Sequence, residues 1–142
     1  MAKNKLKIQY DFTFDLLALN ANVKSYKLAW AMNKELDLNL VRQDNIALEF
    51  KTGRQLSIVN YLAKSEYQKV RLLANRSDEI ELQMSPFLIP ELKNFDYLIL
   101  LENESNTFDK NAFLSNTKRI PFIQFLIQVD LHTLKSRDNL IF

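Results

Sequence analysis

The sequence predicts an α+β fold, a mainly antiparallel sheet with two helices on one face, ferredoxin-like with an extended strand meander. Three observations lead there. Apolar and polar residues alternate at period two over several stretches joined by short turns. Two stretches change to helical spacing. These strand–helix pairs bracket the run of strands rather than interrupt it regularly, which argues against a parallel α/β sheet. No linker, repeat or low-complexity segment divides residues 1–142, so the chain reads as one domain.

Each element has its own warrant. Over residues 6–16, Leu6, Ile8, Tyr10, Phe12, Phe14 and Leu16 alternate with Lys7, Gln9, Asp11, Thr13 and Asp15, the mark of a strand with one wet face. Its length predicts a bend or bulge. Asn20 and Asn22 offer a helix cap. From 23 to 36, Leu28, Ala29, Met32 and Leu36 mark an inward face, with Tyr26 and Trp30 an i, i+4 aromatic pair at its flank. Lys24, Lys27, Ala31 and Lys34 line the opposite side.

Residues 45–51 alternate again, with Ile46, Leu48 and Phe50 inward. Gly53 then stands where a hairpin needs positive φ. Residues 55–63 and 67–75 return as strands, and Ile80, Leu82 and Met84 suggest a short further one. Pro86 and Pro90 enforce an irregular segment. Residues 97–101 are apolar throughout and predict a central strand. A short helix is expected over 107–117 around Phe108, Ala112 and Phe113, a last strand over 123–129, and an apolar chain end at Leu140, Ile141 and Phe142.

Composition excludes several chemistries. The chain has one Gly, one His (His132) and no Cys. Glycine-rich phosphate loops, the G-x-S-x-G nucleophile elbow, Cys nucleophiles, Cys-bound zinc and disulfides all lack their residues. One His cannot build a His-rich metal site. No cofactor or metal is expected. Net charge is +2, too balanced to favour nucleic acid, and apolar runs reach five residues where a membrane span needs about 20. Asp11 and Asp15 interrupt what would be a signal-peptide core, and with no Cys the expected location is cytoplasmic.

Residues 89–97 read Ile89-Pro90-Glu91-Leu92-Lys93-Asn94-Phe95-Asp96-Tyr97. This resembles the signature of the bacterial IPExxxVDY family, with Phe95 in place of its Val. Residues 26–30 (Tyr-Lys-Leu-Ala-Trp) and 134–142 are also similar to that family, so the resemblance spans early helix to C-terminus. It implies no particular activity.

The candidate residues are weighed on their chemistry. Pro90 and Glu91 suit the start of a helical turn, and Asp96 the entry to a strand before Tyr97. The alternative makes Glu91 and Asp96 a paired acidic site for catalysis or a divalent cation, although no third ligand or base is recognisable. His132 reads as a surface residue rather than a proton shuttle, since no particular Ser joins it. Lys24, Lys27 and Lys34 read as a solvated helix face before a phosphate-binding stripe. Tyr26 and Trp30 suit helix–sheet packing first and a subunit interface second. Leu140, Ile141 and Phe142 must be covered by their own domain or by a partner. The expected function is non-catalytic binding or protein interaction, with a homodimer as the expected assembly. An enzyme centred on Glu91 and Asp96, and nucleic-acid binding through the three lysines, stand as alternatives.

Overall fold

A computed structural model of the chain describes residues 12–53, 55–78, 86–105 and 108–142. Six strands form one sheet, β1 Asp15–Ala21, β2 Val41–Glu49, β3 Gln55–Lys64, β4 Gln68–Ala74, β5 Tyr97–Asn103 and β6 Ile123–Val129, in the order β2-β3-β4-β5-β1-β6. Every neighbouring pair is antiparallel. Helix α1, Ser25–Leu36, follows β1, and helix α2, Lys110–Lys118, carries the chain from β5 over to β6. Because β5 and β6 flank β1, that connection straddles one strand, which is compatible with the ferredoxin-like arrangement expected, β2 and β3 extending the meander at the far edge.

The strand run Leu16-Leu17-Ala18-Leu19 is wholly buried, between β5 on one side and β6 on the other. A strand covered on both faces has no reason to alternate. The strand expected over 6–16 meets β1 only at Asp15 and Leu16: residues 12–14 are not strand, β1 runs on to Ala21, and residues 6–11 of that expectation lie outside the described residues. The expected cap at Asn20 and Asn22 is corrected as well. Asn20 belongs to β1, and Lys24 precedes α1 with no side-chain cap hydrogen bond. The Asn20 Oδ1 instead accepts the Asp96 N–H at 3.2 Å.

Strand β2 begins at Val41, four positions ahead of the residues that alternate, because an edge strand exposed at Val41, Arg42, Gln43 and Asp44 needs no apolar face there. Gly53 closes the β2–β3 hairpin with φ +86°, its N–H donating to Phe50 O at 2.9 Å. The expected strand at Ile80, Leu82 and Met84 lies outside the described residues. In α2 the Asp109 carboxylate accepts the Ala112 N–H at 3.0 Å, a side-chain N-cap.

The two faces of the sheet are covered differently. Both helices pack on one: Leu28, Met32 and Phe113 meet Leu17, Leu19, Leu72 and Ile99. The other face, with Leu16, Ala18, Ile58, Leu73 and Leu98, has no α-helix over it among the described residues. It is sealed by two irregular segments, one through Leu88, Ile89 and Leu92 and one through Leu131, Leu134 and Leu140. Leu88 and Ile89 are completely buried, each burial worth about 1.5–3 kcal/mol, so the irregular segments are as firmly seated as the strands.

Candidate functional site

Pro90 opens a short 3₁₀ turn, Pro90–Leu92, with Leu92 buried beneath it. Proline fixes φ for that turn and surrenders an N–H that would have had no partner. What holds the segment is a residue outside it. Asn75, fully buried just after β4, accepts the Ile89 N–H on Oδ1 at 2.9 Å. Its Nδ2 donates to Leu92 O at 2.9 Å and Phe95 O at 3.2 Å, with Ile89 O at 3.4 Å. One amide thus ties Ile89, Leu92 and Phe95 together, beside the turn's own backbone hydrogen bonds. Residues 67–75 read as a strand gave no hint of this role, because a lone Asn at a strand end is common and its partners lie 14 to 20 positions away.

The motif side chains spread outward to three other parts of the chain. Glu91 accepts the Ser136 N–H and the Ser136 Oγ–H, both at 2.8 Å, and so ties the turn to the C-terminal tail. Partial burial raises the Glu91 carboxyl, but the hydrogen bonds from Ser136, together with those from the Glu91 and Lys135 backbone, outweigh it and hold the pKa below the usual glutamate value. Asp96 Oδ2 accepts the Ala21 N–H at 3.1 Å, fastening the entry of β5 to the end of β1. Tyr97 lies buried on the helical face and its hydroxyl donates to Val23 O, at the entry to α1. Burial first, then the nearby Asp96 and Tyr61, push its phenol up to about 12. Glu91 and Asp96 therefore serve different tethers. Among the described residues no group of three or more His, Cys, Asp or Glu could hold a metal ion.

The other candidates fall in separate places. Tyr26 and Trp30 do not pack into the helix–sheet interface: they are 66% and 61% exposed, and the Lys34 ammonium lies 5.3 Å from the Trp30 ring. Ala31, expected on the wet side, is buried. The apolar stripe of α1 is thus rotated toward Ala31, since Leu28, Ala29, Ala31 and Met32 supply the small and slender side chains that let the helix approach the sheet. Leu140 is buried on its own domain, whereas Ile141 and Phe142 stay partly exposed, with the Arg71 guanidinium 5.3 Å from the Phe142 ring. His132 is exposed and its N–H donates to Asp130. It borders a groove of about 600 Å³ whose other charged residues are Asp15 and Asp130.

A cleft of about 550 Å³ opens beside the motif segment, between the entry to α1, the end of β4 and the loop before β5. Lys24, Arg76 and Lys93 line it with Phe87, Phe95 and Asp96. Lys24 thus faces this cleft, while Lys27 and Lys34 do not line it. Composition hid the cluster, because its three cations come from three distant segments of a nearly neutral chain.

Comparison with protein-family models, with curated proteins and with solved structures finds no match in any of the three.

Proposed function

We propose that the protein is a non-catalytic association module that forms a homodimer through the outer edge of β6. The carrying observation is the contrast between the two sheet edges. β2 presents Arg42, Asp44 and Glu49 to solvent and has an irregular register between Gln43 and Ile46, features that discourage edge-to-edge pairing. β6 is Ile-Gln-Phe-Leu-Ile-Gln-Val, without a charge, and leaves Phe125 65% and Ile127 43% exposed. Its register shift falls opposite Asn20 and Ala21, so the stretch 125–129 pairs regularly with β1 and keeps its outer N–H and C=O groups aligned.

Antiparallel self-pairing about Leu126 sets Phe125 of one copy opposite Ile127 of the other, and the twofold axis repeats the pair. Aromatic–β-branched pairs of this kind add to the ladder hydrogen bonds. The hydrogen bonds that engage Glu91 and Asp96 support reading them as structural tethers rather than as the acid and base of an enzyme. Ile89, Pro90, Glu91, Asp96 and Tyr97 support membership of the IPExxxVDY family, and a cytoplasmic location belongs to the same proposal. Among the described residues no helix is long and apolar enough to cross a membrane.

Light scattering on a sizing column tests the reading. The wild type elutes as a dimer, and Phe125→Lys with Ile127→Lys elutes as a folded monomer with an unchanged circular dichroism spectrum. A wild type that stays monomeric at about 100 μM, well above the micromolar range expected of a specific dimer, refutes it.

A further inference from the structure

We infer that the cleft beside the motif segment binds a small phosphate-bearing ligand with a flat ring, of mononucleotide size. The proposal is independent of the dimer, since the cleft lies at the end of β4 and the entry to α1, away from the β6 edge. Three cations converge on it, Lys24, Arg76 and Lys93. Among the described residues, no carboxylate lies within ion-pair distance of any of them. The one acid in the lining among the described residues is Asp96, whose Oδ2 accepts the Ala21 N–H. A cleft rich in unpaired cations and poor in free acids is complementary to an anion.

The walls add a second preference. The Arg76 guanidinium lies over the Phe87 ring, 5.7 Å from its centroid, which orients a planar cation by packing instead of by an ion pair. Phe95 contributes a further ring to the lining. Guanidinium and aromatic planes accept a stacked ring, while Lys24 and Lys93, both exposed at their tips, reach a phosphate as point charges. Volume favours a small molecule over a nucleic-acid strand: about 550 Å³ lies within the usual range for small-molecule sites. The chain's net charge of +2 leaves little to hold many phosphates at once. The larger groove beside His132 has the opposite character, with Asp15 and Asp130 in its lining and, among the described residues, no Lys or Arg.

Titration of the full chain with adenosine 5′-monophosphate at low salt, followed by amide chemical shifts and calorimetry, tests the assignment. Shifts are expected at Lys24, Arg76 and Lys93 and their neighbours. Lys24→Gln with Lys93→Gln weakens binding by about tenfold or more, the consequence of losing charge-assisted contacts, and both positions are exposed, so the fold is kept. Lys27→Gln with Lys34→Gln leaves the affinity unchanged. Adenosine binds at least about tenfold more weakly than its monophosphate if the phosphate is held as proposed. Four results overturn the inference: no shifts at millimolar monophosphate, adenosine binding as tightly as the monophosphate, inorganic phosphate binding as tightly as the monophosphate, or equal weakening by the Lys27 and Lys34 pair. Binding of a ten-nucleotide DNA strand with none of the monophosphate overturns it too, in favour of a nucleic-acid surface.

Discussion

Replacing Asn75 with alanine removes the amide around which residues 88–96 are arranged. The magnitude follows from the groups left behind. The buried Ile89 N–H, bonded to Oδ1 at 2.9 Å, loses its partner, while Leu92 O, bonded to Nδ2 at 2.9 Å, keeps only the Phe95 N–H and Phe95 O loses its bond to Nδ2. The orphaned buried N–H costs about 1–3 kcal/mol, and each hydrogen bond lost at a carbonyl about 0.5–1.5 kcal/mol. Water entering the space left by the side chain recovers part of that, so a net loss of about 3 kcal/mol is expected. For a chain of 142 residues this lowers Tm by about 10 °C. Urea unfolding followed by circular dichroism measures it. Asn75→Asp sharpens the test. It keeps the acceptor for Ile89 but turns an oxygen toward the carbonyls of Leu92 and Phe95, and it buries a charge. It should therefore destabilise at least as much as alanine at pH 7. A loss under about 0.5 kcal/mol for alanine, the scale of an ordinary surface substitution, or wild-type stability for aspartate, would refute the reasoning.

Three further predictions concern the tethers and the hairpin. Glu91→Gln should lower stability at neutral pH by about 1 kcal/mol, a charge-assisted hydrogen-bond contribution discounted for exposure. The folded pKa of Glu91 is depressed, so its contribution is present above the unfolded value of about 4.3 and fades as pH falls through the folded value. Denaturant midpoints of wild type and variant should thus converge at acid pH, and a gap that persists at pH 2 contradicts this. Absorbance titration should find one phenol ionising near 12, with that step missing in Tyr97→Phe, and the variant should lose about 1 kcal/mol with its hydrogen bond to Val23 O. Gly53→Ala meets no atom within 4 Å, so its cost is the strain of φ +86° alone, about 1 kcal/mol by chemical denaturation, and an unchanged midpoint argues against it.

Local pattern carried much of the architecture. The helix over 23–36, the strands over 55–63, 67–75 and 97–101, the helix over 107–117 and the strand over 123–129 each overlap the observed element closely, because period and turn chemistry act within a few residues. Gly53 is legible for the same reason: its lack of Cβ lets it take the positive φ of that turn without strain. The misreadings of the strands have one cause. Alternation reports a half-wet strand, so the fully enclosed run of β1 beyond Leu16 was not read as strand, and the exposed start of β2 was missed. Trp30 was read as packing because amphipathic spacing defines a face only to within a side chain or two, and which neighbour meets the sheet depends on how close the helix approaches.

The sequence alone determined the α+β class, the antiparallel meander, the short hairpin at Gly53 and the singular segment from Ile89 to Tyr97. Only the tertiary structure decided what that segment does. Its hydrogen bonds run to Asn75, Ala21, Val23 and Ser136, residues scattered across the chain, and the cleft beside it gathers Lys24, Arg76 and Lys93 from three separate segments. Periodicity is a property of neighbours along the chain, whereas a buried amide and a cluster of like charges are properties of neighbours in space, which come into being when the sheet closes them together.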